Sequence, residues 1–226
     1  MSIAENLKTL RDELPKEVTL IAVSKTKPIE LLEEAYQAGQ RQFGENKAQE
    51  MALKAPQLPN DVEWHFIGHL QTNKVKMIAP VVHTIHSIDS LKLLTEINRE
   101  AAKANRTIRC LLQFHIATEE TKFGLDEAEA HELMKHTLGS DFKNIIISGV
   151  MGMATYTDNQ QTIRTEFRRL HEIFTTLKST YFAVDDRFKE ISMGMSGDYK
   201  TAVEEGSTCI RIGTAIFGER NYQSFK

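Results

Sequence analysis

A chain of 226 residues has room for one large domain or two small ones. Lysine and arginine total 28 against 31 aspartates and glutamates, so the net charge is −3 and the basic excess of a nucleic-acid binder is missing. Hydrophobic residues at 41% and charged residues at 26% exclude wholesale disorder, and no apolar run reaches the ~18–20 residues of a membrane-spanning helix.

Ser2 and Glu5 stand at capping-box spacing, with Ile3, Leu7, Leu10 and Leu14 at helical spacing behind them. The chain therefore opens on an amphipathic helix and not on a signal peptide, and a cytoplasmic protein is expected. Val18–Val23 is a short β-branched run that ends at Ser24-Lys25. Pro28 suits the first turn of a helix striped by Ile29, Leu32, Ala35 and Tyr36, and Gly39 closes it. A strand at Arg41–Gly44 and a helix around Asn46–Leu53 follow, then a loop marked by Pro56 and Pro59. Glu63–Ile67 reads as strand, Gln71–Ala79 as helix and Val82–Ile88 as strand. Leu91, Leu94, Ile97 and Ala101 mark a helix, Thr107–Ile116 a strand, Asp126–Leu138 a helix and Asn144–Val150 a strand. The stripe from Ile163 to Leu177 defines the longest helix, and Phe188–Met193 and Thr208–Ile212 are strands joined by a short helix. Cys110 and Cys209 lie inside apolar runs, as buried thiols in a reducing compartment do.

Eight strands alternating with helices imply a parallel sheet with helical crossovers. The expected class is α/β, a single-domain (β/α)₈ TIM barrel with an extra N-terminal helix, and an open doubly wound sheet is the alternative. The strands show little polar alternation, as expected of strands buried on both faces.

In such a barrel the chemistry sits at the C-terminal ends of the strands. Lys25 ends the first strand. A lysine in a barrel mouth loses hydration and becomes a nucleophile toward carbonyls, whereas a lysine that snorkels to solvent does no chemistry. Lys27, in the turn beside Pro28, reads as solvated. Arg211 to Gly218 is a strand running through Gly213-Thr214 into a short apolar segment, and Met195-Ser196-Gly197-Asp198 follows the preceding strand. These neighbouring loops either cradle a phosphate or are simple turn formers. Metal-binding motifs are missing, since the chain has no Cys-x-x-Cys and no His-Glu-x-x-His. His69 and His115 read as polar residues of the mouth, His131, His136 and His171 as solvated helix residues, and Met151, Met153, Met193 and Met195 as packing.

Six segments resemble one family. They are Ala-Val-Ser-Lys-Thr-Lys-Pro (22–28), Phe-Gly-Glu-Asn (43–46), Trp-His-Phe-Ile-Gly-His-Leu-Gln-Thr-Asn-Lys (64–74), Gly-Val-Met-Gly-Met-Ala-Thr (149–155), Ser-Met-Gly-Met-Ser-Gly-Asp-Tyr (192–199) and Arg-Ile-Gly-Thr-Ala-Ile-Phe-Gly-Glu-Arg (211–220). In this order they are similar to the pyridoxal phosphate homeostasis proteins, which have an alanine-racemase-like barrel. The resemblance implies pyridoxal 5′-phosphate (PLP) held as a Schiff base on Lys25. It implies phosphate contacts from Ser196, Gly213 and Thr214, a pyridine-nitrogen partner in Arg211, and Asn46 and His69 near the cofactor. Phe114-His115 stands where many members show Val-Asn, and Gly197 after Ser196 is a second departure.

The implied role is intracellular PLP homeostasis, by holding and releasing the cofactor without robust catalysis. The implied partners are PLP and, as recipients, PLP-dependent apo-enzymes, with no nucleic acid, no membrane and a monomeric chain. Arg211 cannot accept the ring nitrogen's proton, so the ring stays a weak electron sink. Alanine racemase adds a β-rich domain that supplies a tyrosine base, and only residues 219–226 follow Gly218 here. The competing functions are a weak PLP-dependent amino-acid racemase and, on the residues alone, a Schiff-base aldolase of a sugar phosphate.

Overall fold

The computed structural model describes residues 2–118, 123–137 and 142–219. The expected helix end at Leu138 and the Arg220 of the last motif lie outside them. Among the described residues, eight parallel strands close into a barrel in chain order: β1 (Thr19–Val23), β2 (Gln42–Glu45), β3 (Glu63–Phe66), β4 (Val82–Ile88), β5 (Ile108–Phe114), β6 (Ile145–Gly152), β7 (Glu190–Ser192) and β8 (Cys209–Ile212). β8 pairs with β1 in the register Ile21 to Arg211 and Ala22 to Ile212, so the open-sheet alternative falls away.

α1 (Ile3–Glu13) begins on the expected capping box, with the Glu5 N–H donating to Ser2 Oγ and the Ser2 N–H to the Glu5 carboxylate. α2 (Ile29–Gln37) starts after Pro28, and Gly39 turns the chain at φ +85°. α3 (Ala48–Lys54) starts two residues later than expected, because Asn46 and Lys47 stay with the strand end. The helix expected over 71–79 is a 3₁₀ turn at Thr72–Lys74 followed by α4 (Val75–Ile78). α5 (Leu91–Lys103), α6 (Glu127–Thr137) and the 22-residue α7 (Gln160–Tyr181) cover β4 to β7. α8 (Tyr199–Glu204) links β7 to β8, and α9 (Thr214–Phe217) follows β8. No described helix is long and apolar enough to cross a membrane.

The apolar core lies between strands and helices, built on Leu7, Phe43, Trp64, Phe66, Phe167 and Phe188. β7 is shorter than the run Phe188–Met193 because Phe188 packs outward, its ring stacked on those of Phe174 and Phe182 at 5.1 and 4.1 Å. Both cysteines are buried and unpaired, and burial pushes the Cys209 thiol up to about 12. Of the four methionines read as packing, Met151 and Met193 are buried, whereas Met195 is exposed.

The expectation of little polar alternation is wrong for the barrel interior. Arg211 Nη1 donates to Ser192 Oγ at 2.6 Å, His86 Nδ1 lies 2.9 Å from the same oxygen, and His86 Nε2 lies 2.9 Å from His65 Nδ1. β4 and β7 are not neighbours, so His86 and Ser192 meet only through the lumen. These side chains pair with one another, which is what makes a polar lumen tolerable. Burial keeps both imidazoles neutral, His65 being held down at about 3 and His86 well below the ordinary range.

Candidate functional site at the barrel mouth

β1 ends at Val23, so Lys25 does not end the strand as expected but stands two residues beyond it, half-buried. Its neighbours are fixed on both sides. The buried Ser24 Oγ donates to Glu45 Oε1 at 2.7 Å, and Lys54 Nζ donates to the Ser24 carbonyl and to Glu45 Oε1, each at 2.8 Å. Thr26, in the left-handed region at φ +63°, donates its N–H to Glu50 Oε1, which also accepts from Lys54 Nζ at 2.6 Å. Burial raises the Glu45 carboxyl to about 7 against the opposing pull of Lys54 and Ser24.

Lys27 is not solvated as expected. It is buried, and its Nζ donates to the carbonyls of Phe217, Gly218 and Glu219 at 3.2, 2.9 and 2.8 Å. An ammonium at the C-terminal end of α9 satisfies carbonyls that the helix leaves open. The Lys25 turn is thereby tied to the segment carrying Gly213 and Thr214.

Arg211 stands in register with Ile21 of β1 and is 5% exposed. Nη1 holds Ser192, and Nη2 donates to the Gly152 carbonyl at 3.2 Å. Burial pulls its guanidinium below its ordinary value, and it remains a pure donor. Gly213 caps α9, and Thr214 is the first residue of that helix. A Cβ on Gly213 would sit 3.3 Å from the Val23 carbonyl oxygen, so β8 ends close against β1. Ser196 and Gly197 form the exposed tip of a turn that Asp198 closes, its carboxylate accepting from the Met195 N–H at 2.6 Å.

Asn46 and His69 line one cavity of about 220 Å³ at the ends of β2 and β3. Gly68 makes this approach feasible, because a Cβ there would lie 2.4 Å from the Asn46 carbonyl oxygen. Asn46 Oδ1 is buried with no hydrogen-bond partner among the described residues. His69 stacks on Phe123 at 4.6 Å, and its Nδ1 lies 3.4 Å from Asp89. Phe114 lines an outer crevice with Ala130 and Ile173, so that half of the departure from the family pattern falls in the outer layer, while His115 is half-buried. The loops after β5 and β6 are joined by the buried Glu166, which accepts from the N–H groups of Thr118 and Thr155 at 3.0 and 2.6 Å.

Sequence reasoning missed Glu45, Lys54, Glu50 and Glu166. Glu45 stood inside a quoted motif, and Glu50 and Lys54 stood at i, i+4 spacing; Glu166 carried no signal. The donor set at the mouth is one amine, one buried guanidinium, two hydroxyls and the first N–H groups of α9. It fits a ligand with an aldehyde, a heteroaromatic nitrogen and a phosphate, and the orphaned Asn46 oxygen leaves an acceptor for a hydroxyl.

The chain matches the family described as alanine racemase, N-terminal domain, over residues 1–221. The pyridoxal phosphate homeostasis protein of Aquifex aeolicus is 41% identical over 204 residues, covering 90% of this chain and 87% of that one. Its counterpart in Escherichia coli K12 is 36% identical over 234 residues, covering 97% of both chains. Among solved structures, PipY of Synechococcus elongatus with PLP bound is 36% identical at a TM-score of 0.88, covering 96% of this chain and 100% of that one. Alanine racemase of Streptomyces lavendulae, 19% identical at a TM-score of 0.79 over 96% of this chain and 56% of that one, shares the fold alone. With relatives this similar along nearly its whole length, the chain belongs to the pyridoxal phosphate homeostasis protein family, built on the barrel of the alanine racemase N-terminal domain.

Proposed function

We propose that this chain binds PLP at the barrel mouth and serves intracellular PLP homeostasis, holding and releasing the cofactor without robust catalysis. One observation carries the reading beyond family membership. A buried arginine, Arg211, stands two residues before the Gly213-Thr214 turn on a strand in register with β1, which leads through Ser24 to Lys25. When bound, PLP supplies an aldehyde that condenses with amines and a ring that withdraws electrons. Lys25 would hold it as a Schiff base through its Nζ, since a lysine amine condenses with an aldehyde with loss of water. Arg211 would face the ring nitrogen as a donor that cannot accept its proton, which would leave that nitrogen unprotonated. Ser196, Gly213 and Thr214 offer hydroxyl and N–H donors to the phosphate, while Asn46 and His69 form the wall beyond the ring.

PipY with PLP bound supports this cofactor assignment. The names of the homologues support homeostasis over catalysis. The chain works as a monomer in the cytoplasm and passes its cofactor to PLP-dependent apo-enzymes. The test is borohydride reduction of the PLP-loaded protein followed by peptide mapping. The cofactor is expected on Lys25, and Lys25→Ala is expected to retain the fold by circular dichroism and lose the label. A label fixed natively on another lysine overturns the assignment.

A further inference from the structure

The barrel carries a second polar constellation, at the end opposite the mouth. Glu63 and His65 of β3 and His83 of β4 bring a carboxylate oxygen and two ring nitrogens within 4.8 Å of one another. Each is held from behind. Glu63 Oε2 accepts from Gln42 Nε2 at 2.9 Å, which leaves Oε1 turned toward His83 Nε2 at 3.9 Å. His83 Nδ1 lies 2.8 Å from Thr84 Oγ1, and His65 Nδ1 lies 2.9 Å from His86 Nε2. The nitrogen His65 has left to offer is Nε2, which is buried with no hydrogen-bond partner in a residue only 5% exposed.

We propose that Glu63, His65 and His83 form a binding site for a divalent transition-metal ion of the zinc class. Two imidazoles and one carboxylate suit zinc and its neighbours, and they do not suit the all-oxygen preference of magnesium or calcium. Three protein ligands leave a fourth position facing a cavity of about 530 Å³ that the same three side chains help to line. The partners on the far atoms of all three ligands are what orients metal-binding histidines and carboxylates in general. Charge is balanced around the site. Arg109 and Arg106 act on His83 from one side, but Arg109 is ion-paired to Glu190 at 2.7 Å, and Glu17 and Lys189 offset each other on the cavity wall. Ligands about 2.0–2.1 Å from a tetrahedral ion lie about 3.3 Å apart, so the group must tighten. The half-exposed side chains of Glu63 and His83 can swing inward while His65 stays fixed. A metal on His65 Nε2 would also place the His65 proton on Nδ1, facing His86 and the chain of hydrogen bonds that ends at Arg211.

The site is independent of the cofactor reading and is tested without PLP. Full-length chain lacking a histidine tag is stripped with chelator and titrated with Co²⁺. One equivalent is expected to give the visible absorption of a low-coordinate site, with Zn²⁺ displacing it and Mg²⁺ failing to. His83→Ala and Glu63→Gln change partly exposed side chains, and each should weaken Co²⁺ binding by about tenfold or more. His136→Ala, on α6, should leave it unchanged. Failure of the wild-type chain to take up one equivalent, or undiminished binding in both variants, overturns the proposal.

Discussion

At Glu45 a single carboxylate is asked to hold two things at once, the Ser24 hydroxyl and the Lys54 ammonium, in a site with no exposure. Burial raises its carboxyl from 4.5 to about 7. Between these values the folded chain keeps a proton that the unfolded chain releases. The stability that goes with the neutral form is complete below about 4.5 and drains away as pH rises toward 7, by on the order of 3 kcal/mol at most. Urea midpoints measured across this window should therefore fall with rising pH in the wild type and lose most of that slope in Glu45→Gln. Lys25 could be proposed from its place near the end of the first strand, which a linear pattern shows, whereas a role for Arg211 came only from the family resemblance. Lys27 was misread because the carbonyls that bury it lie some 190 residues away. The Arg211–Ser192–His86–His65 chain escaped for a similar reason: periodicity says which residues share a face, not which polar groups meet across a lumen.

Strands and helices were recognisable as elements because their apolar runs are long and their punctuation is clear, as at Ser2, Pro28 and Gly39. Their edges moved where a side chain had a better partner outside the ladder, as Phe188 does in its aromatic stack. Asn46 and Lys47 lie between β2 and α3, which starts only at Ala48. β6 adds a constraint that no run of isoleucines announces. Gly149 holds φ +156°, and a Cβ there would fall 1.8 Å from the Glu190 carbonyl oxygen of β7. That contact is backbone against backbone, so it cannot relax by a rotamer change. Gly149→Ala is expected to cost about 3 kcal/mol or more in thermal or urea unfolding. Gly197→Ala, where a Cβ would meet nothing within 4 Å, is expected to stay within about 0.5 kcal/mol. Gly149 lies within β6 against β7, and Gly197 in the turn after β7, so the contrast separates backbone crowding from simple turn preference.

For the molecule as a whole, the proposed roles of Arg211 and Lys25 predict what the protein fails to do. Racemisation needs strong electron withdrawal and a proton-transfer group on each face of the reacting carbon. In its proposed place at the ring nitrogen Arg211 would offer only N–H donors, which would keep withdrawal weak. L-Alanine incubated with the PLP-loaded protein should show negligible D-alanine by chiral chromatography, whereas turnover at ~1 s⁻¹ or faster would make it an ordinary enzyme. The closure that builds this mouth also sets a timetable. Lys27 reaches the Phe217 carbonyl across 190 residues, and Asn6 Nδ2 reaches the Ile216 carbonyl across 210. On a ribosome adding about 5–20 residues per second, the Lys25 strand waits some 10–40 s for its partner. During that interval β1 is an open edge, and the strand most recently made is the other, so both are vulnerable to pairing with other chains. On the proposed reading, a site that draws Arg211, Gly213 and Thr214 from β8 and the turn after it stays unassembled until β8 has emerged.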